Sequence, residues 1–113
     1  MIIGIKARLE IHNILYEIKK NNKNMDDLSI SRLLDKYNQK DRSFIYNVCL
    51  NSMRYKFHTE KIISTYSKKK SNINQKLLLI SAITQIVFLN YKDYAVINCS
   101  VEVSKKLNLY SGF

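Results

Sequence analysis

The chain has 113 residues, a formal net charge of +10, two glycines and no proline. This length allows one domain, and the absence of proline and of alternating apolar and polar runs between turns excludes a sheet-rich fold and favours an all-α one. The excess of lysine and arginine favours a polyanionic partner, whereas the heavy joint use of lysine, asparagine and isoleucine also fits a biased composition with no partner.

Apolar periodicity predicts three helices in the first half of the chain. The first spans about 5–20 and ends in the turn-forming run Asn21–Asn24. The second spans about 28–36, and the third spans about 39–56 with Asn38 as its cap. The side chains expected in the core are Leu9, Ile11, Ile14, Leu15, Ile18, Leu28, Ile30, Leu33, Leu34, Phe44, Ile45, Val48, Cys49 and Met53.

Three more helices are predicted in the second half, over about 59–66, 77–89 and 94–107. The charge run Lys68–Lys70 precedes the middle one, and Asp93 is the expected cap of the last. The side chains expected to face the core from the outer two are Ile62, Ile63, Tyr66, Ala95, Val96, Val101, Val103 and Leu107.

The middle helix, 77–89, is the most apolar stretch of the chain. It is shorter than the about 20 apolar residues needed to cross a bilayer, and it contains Ser81, Thr84 and Gln85. Its apolar residues run nearly all the way round the helix, which is typical of a helix enclosed by others. We therefore expect it to be the buried centre of the fold, with no membrane as a partner.

The cysteines and histidines do not form a recognisable reactive or metal-binding pattern. Cys49 and Cys99 are too few for a disulfide framework and lack metal-type spacing, so we interpret both as buried small apolar residues. His12 is interpreted as a helix-surface residue and His58 as part of a helix junction. The N-terminus has no signal-peptide pattern, which predicts a cytoplasmic location.

Motifs along most of the chain resemble the NusB/RsmB-type RNA-binding domain. The most specific is Ala95–Lys106, where the family pattern reads roughly A-x-V-N-E-x-V-E-x-A-K. The other segments that carry the resemblance are Ala7-Arg8, Leu15-Tyr16, Asp41–Ile45, Arg54-Tyr55, Gln85–Leu89 and Ser111–Phe113. The resemblance implies an all-α, NusB-like bundle of about six helices around the central helix, forming a single RNA-binding domain over residues 1–113.

The family pattern continues beyond the point where this sequence stops. It reads on through G-F-V-N-x-V-L-R, whereas the sequence ends at Gly112-Phe113. We expect a final C-terminal helix to be missing, and the chain to be the truncated N-terminal portion of a longer protein.

Two branches of the family are compatible with these motifs. In one, the domain is the N-terminal part of RsmB-like (Sun/Fmu) enzymes, which methylate cytosine C5 in small-subunit ribosomal RNA. In the other, free-standing NusB acts in transcription antitermination and ribosomal-RNA processing, with a ribosomal protein as partner. Asp41-Arg42, Arg54-Tyr55 and Gln85 are more similar to the enzyme branch, which we favour.

Neither branch implies chemistry within these residues. The enzyme family binds S-adenosylmethionine in an α/β domain and attacks the pyrimidine with a cysteine that usually follows proline. The chain has neither a Gly-rich strand-to-helix loop nor a Pro-Cys pair, so we assign it no catalytic, cofactor-binding or metal-binding residue. S-adenosylmethionine is expected only in a C-terminal methyltransferase domain, which would be a partner in cis.

Binding to RNA, and to ribosomal RNA in particular, is what the resemblance implies. Lys6 and Arg8 are similar to the basic N-terminal surface on which the family engages RNA. The other candidates for phosphate contacts are Arg54, Lys56, Lys68, Lys69 and Lys70. For each of them the alternative is a solvated charge with no ligand.

Three tyrosines have both a structural and a functional interpretation, and Arg42 has a structural one. Tyr46, Tyr55 and Tyr66 could stack on unpaired bases, but their spacing beside apolar residues favours the edge of the core. Arg42 follows Asp41 in a first helical turn, and we expect it to tie its helix to a neighbour through an ion pair.

Three positions depart from the family pattern. Asn51 replaces a glycine, Lys92 replaces a proline, and Ile80 replaces an arginine early in the central helix. These departures leave the expected fold intact, but they weaken any transfer of RNA-contact roles to the central helix.

Overall fold

The structure is a computed structural model that describes residues 4–67 and 72–107. Within these ranges it contains six α-helices and no strand, so the predicted all-α bundle is confirmed. The helices are α1 (Ile5–Asn21), α2 (Leu28–Leu34), α3 (Gln39–Arg54), α4 (Lys56–Tyr66), α5 (Ile73–Ile83) and α6 (Asp93–Lys106), and a π-helical segment, Thr84–Phe88, continues α5. The expectations for Lys68–Lys70 and for residues 108–113 concern positions outside the described residues.

Asparagine side chains define several of the helix ends. The side chain of Asn38 accepts a hydrogen bond from the backbone N–H of Asp41, which confirms the predicted start of α3. Asn72 and Gln75 form a reciprocal capping box at the start of α5. Asn22 takes a left-handed backbone angle, φ 53°, and ends α1 within the predicted turn.

Two elements make most of the contacts in the bundle. Helix α1 packs against α3, α5 and α6, while α5 and the π segment together contact α1, α3, α4 and α6. Residues 77–89 therefore contact four other helices, as expected, but the stretch is not fully enclosed, because Val87 is 52% exposed. No helix among the described residues is long and apolar enough to cross a membrane.

Three side chains expected in the core are exposed. Leu28, at the first position of α2, is 72% exposed, and Tyr66, at the end of α4, is 86% exposed. Both lie at helix termini, where the chain leaves the packed face. Val101 is 45% exposed because it is two residues from the buried Val103, which places it about 200° away around α6.

Helix α6 also begins slightly earlier than expected. Lys92 occupies the cap position, and Asp93 is the first helical residue rather than the cap. The Asp93 carboxylate accepts a hydrogen bond from the backbone N–H of Tyr94 at 2.7 Å. An acid in the first turn favours the positive end of the helix dipole.

The polar residues of the apolar stretch are among its most deeply buried. Ser81 donates to the Leu78 carbonyl at 3.1 Å, and Thr84 donates to the Ile80 carbonyl at 2.8 Å. Because these hydroxyls bond to the preceding turn of their own helix, they can be buried without an unpaired donor. Cys49 and Cys99 are buried as predicted, and burial raises the pKa of the Cys49 thiol.

The assignment of His12 to the helix surface is wrong. The ring is buried in α1, with Nε2 3.0 Å from Asn74 Oδ1 at the start of α5, and Nδ1 has no hydrogen-bond partner. Burial lowers the pKa of His12 from its ordinary value of 6.5, although the hydrogen bond to Asn74 opposes the shift. The folded protein therefore holds this ring neutral at pH values where the unfolded chain begins to bind a proton.

We predict an acid-side loss of stability that depends on His12. A pKa lowered by folding means that stability is complete above about pH 6.5 and falls as the pH drops toward the folded-state pKa. As the pH is lowered below 7, the free energy of unfolding should decrease less for His12→Gln than for the unmodified chain. Chemical denaturation at several pH values measures this decrease. His58→Gln, which removes an exposed ring, is the matched control. If the unmodified chain and His12→Gln lost equal stability, the acid-side loss would not come from His12.

Candidate nucleic-acid interface

Arg8 lies on the inner side of α1 and connects three other elements. Its Nε donates to Gln85 Oε1 at 2.8 Å, and its Nη1 is 3.5 Å from Cys99 Sγ. Its guanidinium also lies over the ring of Phe44, 5.0 Å from the centroid. One side chain thus joins α1 to the π segment, to α6 and to α3.

The start of α1 is adapted to this guanidinium. Gly4 has φ +93°, a backbone angle that residues with a side chain rarely adopt. A Cβ atom at this position would lie 2.5 Å from Arg8 Nη1. Any larger residue at Gly4 would therefore both strain the backbone and displace the arginine.

The π segment presents Gln85 to Arg8. The Gln85 Nε2 donates to the Ser81 carbonyl at 3.1 Å, which leaves Oε1 to accept from the arginine. A π-helical turn is wider than an α-helical one because its hydrogen bonds join residues five apart instead of four. Here the Leu89 N–H donates to the Thr84 carbonyl at 3.0 Å. The motif residue Gln85 is thus buried, with both ends of its amide hydrogen-bonded.

Three cationic side chains lie close to Tyr37, near the amino end of α1. The amines of Lys6 and Lys36 lie 5.8 Å and 5.6 Å from the centroid of the Tyr37 ring. Arg42 Nη2 donates to the Tyr37 carbonyl at 3.2 Å, and the Tyr37 hydroxyl donates to Glu10 Oε1 at 3.0 Å. We call Lys6, Lys36, Tyr37 and Arg42 the Tyr37 cluster.

The charges that the Tyr37 cluster presents to solvent are ammonium groups. Glu10 is buried beneath Lys36, whose amine is 2.8 Å from the carboxylate, while the Lys36 side chain remains 56% exposed. Burial raises the pKa of Tyr37 to about 12, with the hydrogen bond and charge of Glu10 adding to the effect. Tyr37 therefore stays protonated and keeps its donor hydrogen at neutral pH.

The sequence did not identify Lys36 as a candidate. It belongs to no motif segment, and the structure brings it to α1 through its ion pair with Glu10 and to the same Tyr37 ring as Lys6. The neighbouring aromatic residue, Tyr37, was its only local signal.

A second group of candidates lies near the α3–α4 junction. Arg54 is exposed, and its Nη1 is 3.4 Å from Asn51 Oδ1. Lys56 and Lys76 share one carboxylate, with their amines 3.7 Å and 3.3 Å from Glu60. Part of the positive charge here is thus compensated by Glu60.

The structure does not bring the two groups of candidates together. Lys56 and Lys19 line the same small pocket of about 80 Å³, near the carboxyl end of α1. Lys6 is thirteen residues before Lys19 on that helix, a rise of about 20 Å. Lys68, Lys69 and Lys70 lie outside the described residues, so their position relative to either group stays a prediction.

The departures from the family pattern are accommodated in different ways. Asn51 is buried, and its Nδ2 donates to the Asn47 carbonyl at 2.8 Å. Ile80 is buried in the wall of the small pocket, and Lys92 is exposed before α6. The arginine position of the family pattern is therefore an apolar, inward-facing position here.

Two of the expected structural roles can be compared with the geometry. The structure gives Arg42 a hydrogen bond to the backbone carbonyl of Tyr37, and no carboxylate among the described residues forms the expected ion pair with it. Tyr55 stacks on Phe88, with centroids 4.1 Å apart and planes 4° apart, as expected at the edge of the core.

Comparison with known proteins gives one family and no individual relative. The model of the NusB family matches residues 5–111, which include all six helices. No curated protein and no solved structure matches the chain.

We predict that Arg8→Met destabilises the fold. The substitution keeps an apolar side chain of similar length over Phe44 but leaves the buried Gln85 Oε1 without its donor, at a cost of roughly 1–3 kcal/mol. Denaturant unfolding measures this change in the free energy of unfolding. Arg32→Met, at an exposed position of α2, is the matched control and should change it by less than about 0.5 kcal/mol. Equal stability of the two variants would show that the buried hydrogen bond contributes nothing.

Proposed function

Because the chain belongs to the NusB family, a fold of the RNA-binding and antitermination type, we propose that it docks ribosomal RNA and performs no chemistry itself. We assign it to the N-terminal part of an S-adenosylmethionine-dependent methyltransferase that modifies cytosine C5 in small-subunit ribosomal RNA. The cofactor and the catalytic cysteine would belong to a C-terminal domain in cis. This assignment also places the protein in the cytoplasm.

The Tyr37 cluster is the observation that supports RNA binding most directly. Lys6 and Lys36 present exposed ammonium groups beside the Tyr37 ring, and Glu10 is buried and paired with Lys36. The half-buried Asp41 also acts on Tyr37, since its charge contributes to the raised pKa of the hydroxyl. A phosphate that approaches this surface therefore meets two exposed ammonium groups, one of which is paired with Glu10. Neutralising phosphates releases counterions, which is the main source of affinity for RNA backbones.

The candidate residues have different roles in this proposal. Lys6 is exposed and free to contact phosphate, whereas Arg8 holds α1 in place through Gln85 and so positions Lys6. A direct contact of Arg8 with RNA stays a prediction. Arg54, Lys56 and the run Lys68–Lys70 would contact a second stretch of backbone.

The alternative is a free-standing NusB-type antitermination factor that acts through RNA and a ribosomal protein. Both functions use the same RNA-binding surface, so that surface does not discriminate between them. The coding sequence downstream of Phe113 does: an open frame that continues into a Gly-rich α/β domain with a Pro-Cys motif supports the enzyme. A stop codon after one more helix supports the free-standing factor and contradicts the assignment to the enzyme.

We predict that Lys6→Glu weakens binding to a small-subunit ribosomal-RNA fragment and flattens its salt dependence. Removing one phosphate interaction lowers the slope of log affinity against log salt concentration by about 0.7–0.9. Gel-shift titrations over a salt series measure both quantities.

Lys61→Glu is the matched control, because it makes the same charge change at an exposed position of α4 outside the Tyr37 cluster. If the two variants bind with equally reduced affinity, the Tyr37 cluster has no special role and the positive charge is only compositional. Binding that does not change with salt would contradict RNA docking altogether.

A further inference from the structure

An open cleft lies beside the Tyr37 cluster and has no role in the function proposed above. Its volume is about 620 Å³, within the range of about 300–1,000 Å³ found for small-molecule sites. Three aromatic residues line it: Phe44 and Tyr46 from α3, and Tyr91 from the connection before α6. We call it the α3 cleft.

Two of the aromatic residues that line the α3 cleft pack against each other and against Arg8. The rings of Phe44 and Tyr91 pack with centroids 5.7 Å apart, and Arg8 lies over Phe44 on its way to Gln85. Tyr46 differs from these two because the residue is 39% exposed. The cleft is thus lined by two packed rings, Phe44 and Tyr91, and by the more accessible Tyr46.

The remaining wall is cationic or neutral. None of the lining residues is acidic, and the only charged one is Arg42. In the part of the chain that the structure describes, Arg42 Nε has no hydrogen-bond partner, and Nη2 bonds only to the neutral Tyr37 carbonyl. Among the described residues this guanidinium forms no ion pair with a carboxylate, and its sequence neighbour Asp41 is half-buried. Ser43 and Asn47, one helical turn apart on α3, add uncharged polar groups.

Arg42 also makes the α3 cleft continuous with the Tyr37 cluster, since it belongs to both. A strand whose phosphates lie on Lys6 and Lys36 would therefore pass the mouth of an aromatic-lined, acid-free cavity. Unpaired bases of RNA are recognised by stacking on aromatic side chains, with polar groups at the base edges.

We propose that the α3 cleft receives one unpaired base of the bound RNA, which stacks on Tyr46 while its phosphates remain on the Tyr37 cluster. This inference rests on the proposed RNA-docking function and adds a preference for single-stranded segments. Phe44 and Tyr91 shape the cleft, and Arg42 supplies a cation where the base joins the backbone.

The test uses the full chain and a short single-stranded RNA in which 2-aminopurine replaces one base at a time. Stacking in the cleft should change the 2-aminopurine emission at one position of the strand. Tyr46→Ala should abolish that change and weaken binding about 5- to 150-fold, the range found when one base–aromatic stack is removed. Tyr46→Phe, which keeps the ring, should retain both.

Three comparisons separate stacking from other causes. Tyr94→Ala removes an exposed tyrosine of α6 that does not line the α3 cleft, and it should leave binding unchanged. Tyr46→Ala should leave the slope of the salt dependence unchanged, because all phosphate interactions remain, and it should not affect a duplex of the same sequence. Tyr46→Leu keeps apolar bulk at this position, so it repeats the test if Tyr46→Ala proves unstable by thermal unfolding.

The outcomes distinguish this inference from the function on which it rests. If Lys6→Glu weakens binding while Tyr46→Ala and Tyr46→Leu do not, the α3 cleft is not a base site but RNA docking stands. An equal weakening of single-stranded and duplex binding in Tyr46→Ala would also overturn the base site. If the unmodified chain binds no RNA, the docking function and the base site both fail.

Discussion

The arrangement of the bundle depends on a guanidinium that is turned inward. A charged group can be removed from water only if hydrogen-bond partners replace the solvent, and Arg8 finds one in the buried Gln85. Meeting that requirement fixes the distance between α1 and the π segment and brings the ring of Phe44 beneath the guanidinium. Gly4 belongs to the same constraint, because only a residue without a Cβ leaves room for the arginine at the start of α1.

This inward arginine determines which charges are presented outside. With Arg8 directed at Gln85, the outward cation at the amino end of α1 is Lys6, and it meets Lys36 across the ring of Tyr37. Glu10 provides the opposite charge, but it lies in the interior. The structure thus separates a buried network that holds the helices from an exposed set of lysines that is available to an anionic partner.

Several polar residues of the core form hydrogen bonds that replace part of their lost contact with water. Ser81 and Thr84 bond to carbonyls of their own helix, and His12 bonds to Asn74 across the interface between α1 and α5. Each of these side chains has a partner for at least one polar atom. Such bonds fix the rotation of one helix against another more narrowly than apolar contact alone, because a hydrogen bond depends on direction.

The sequence determined the helical class, the approximate helix bounds and the cap at Asn38, because these follow from local periodicity and from side chains that bond to their own backbone. Its motifs also indicated the family that the family model shows. Only the tertiary structure decided that Arg8 faces inward, that His12 is buried and that Lys36 joins Lys6. The direction of a polar side chain depends on partners far away in the chain, as Gln85 is from Arg8, and no local pattern carries that information.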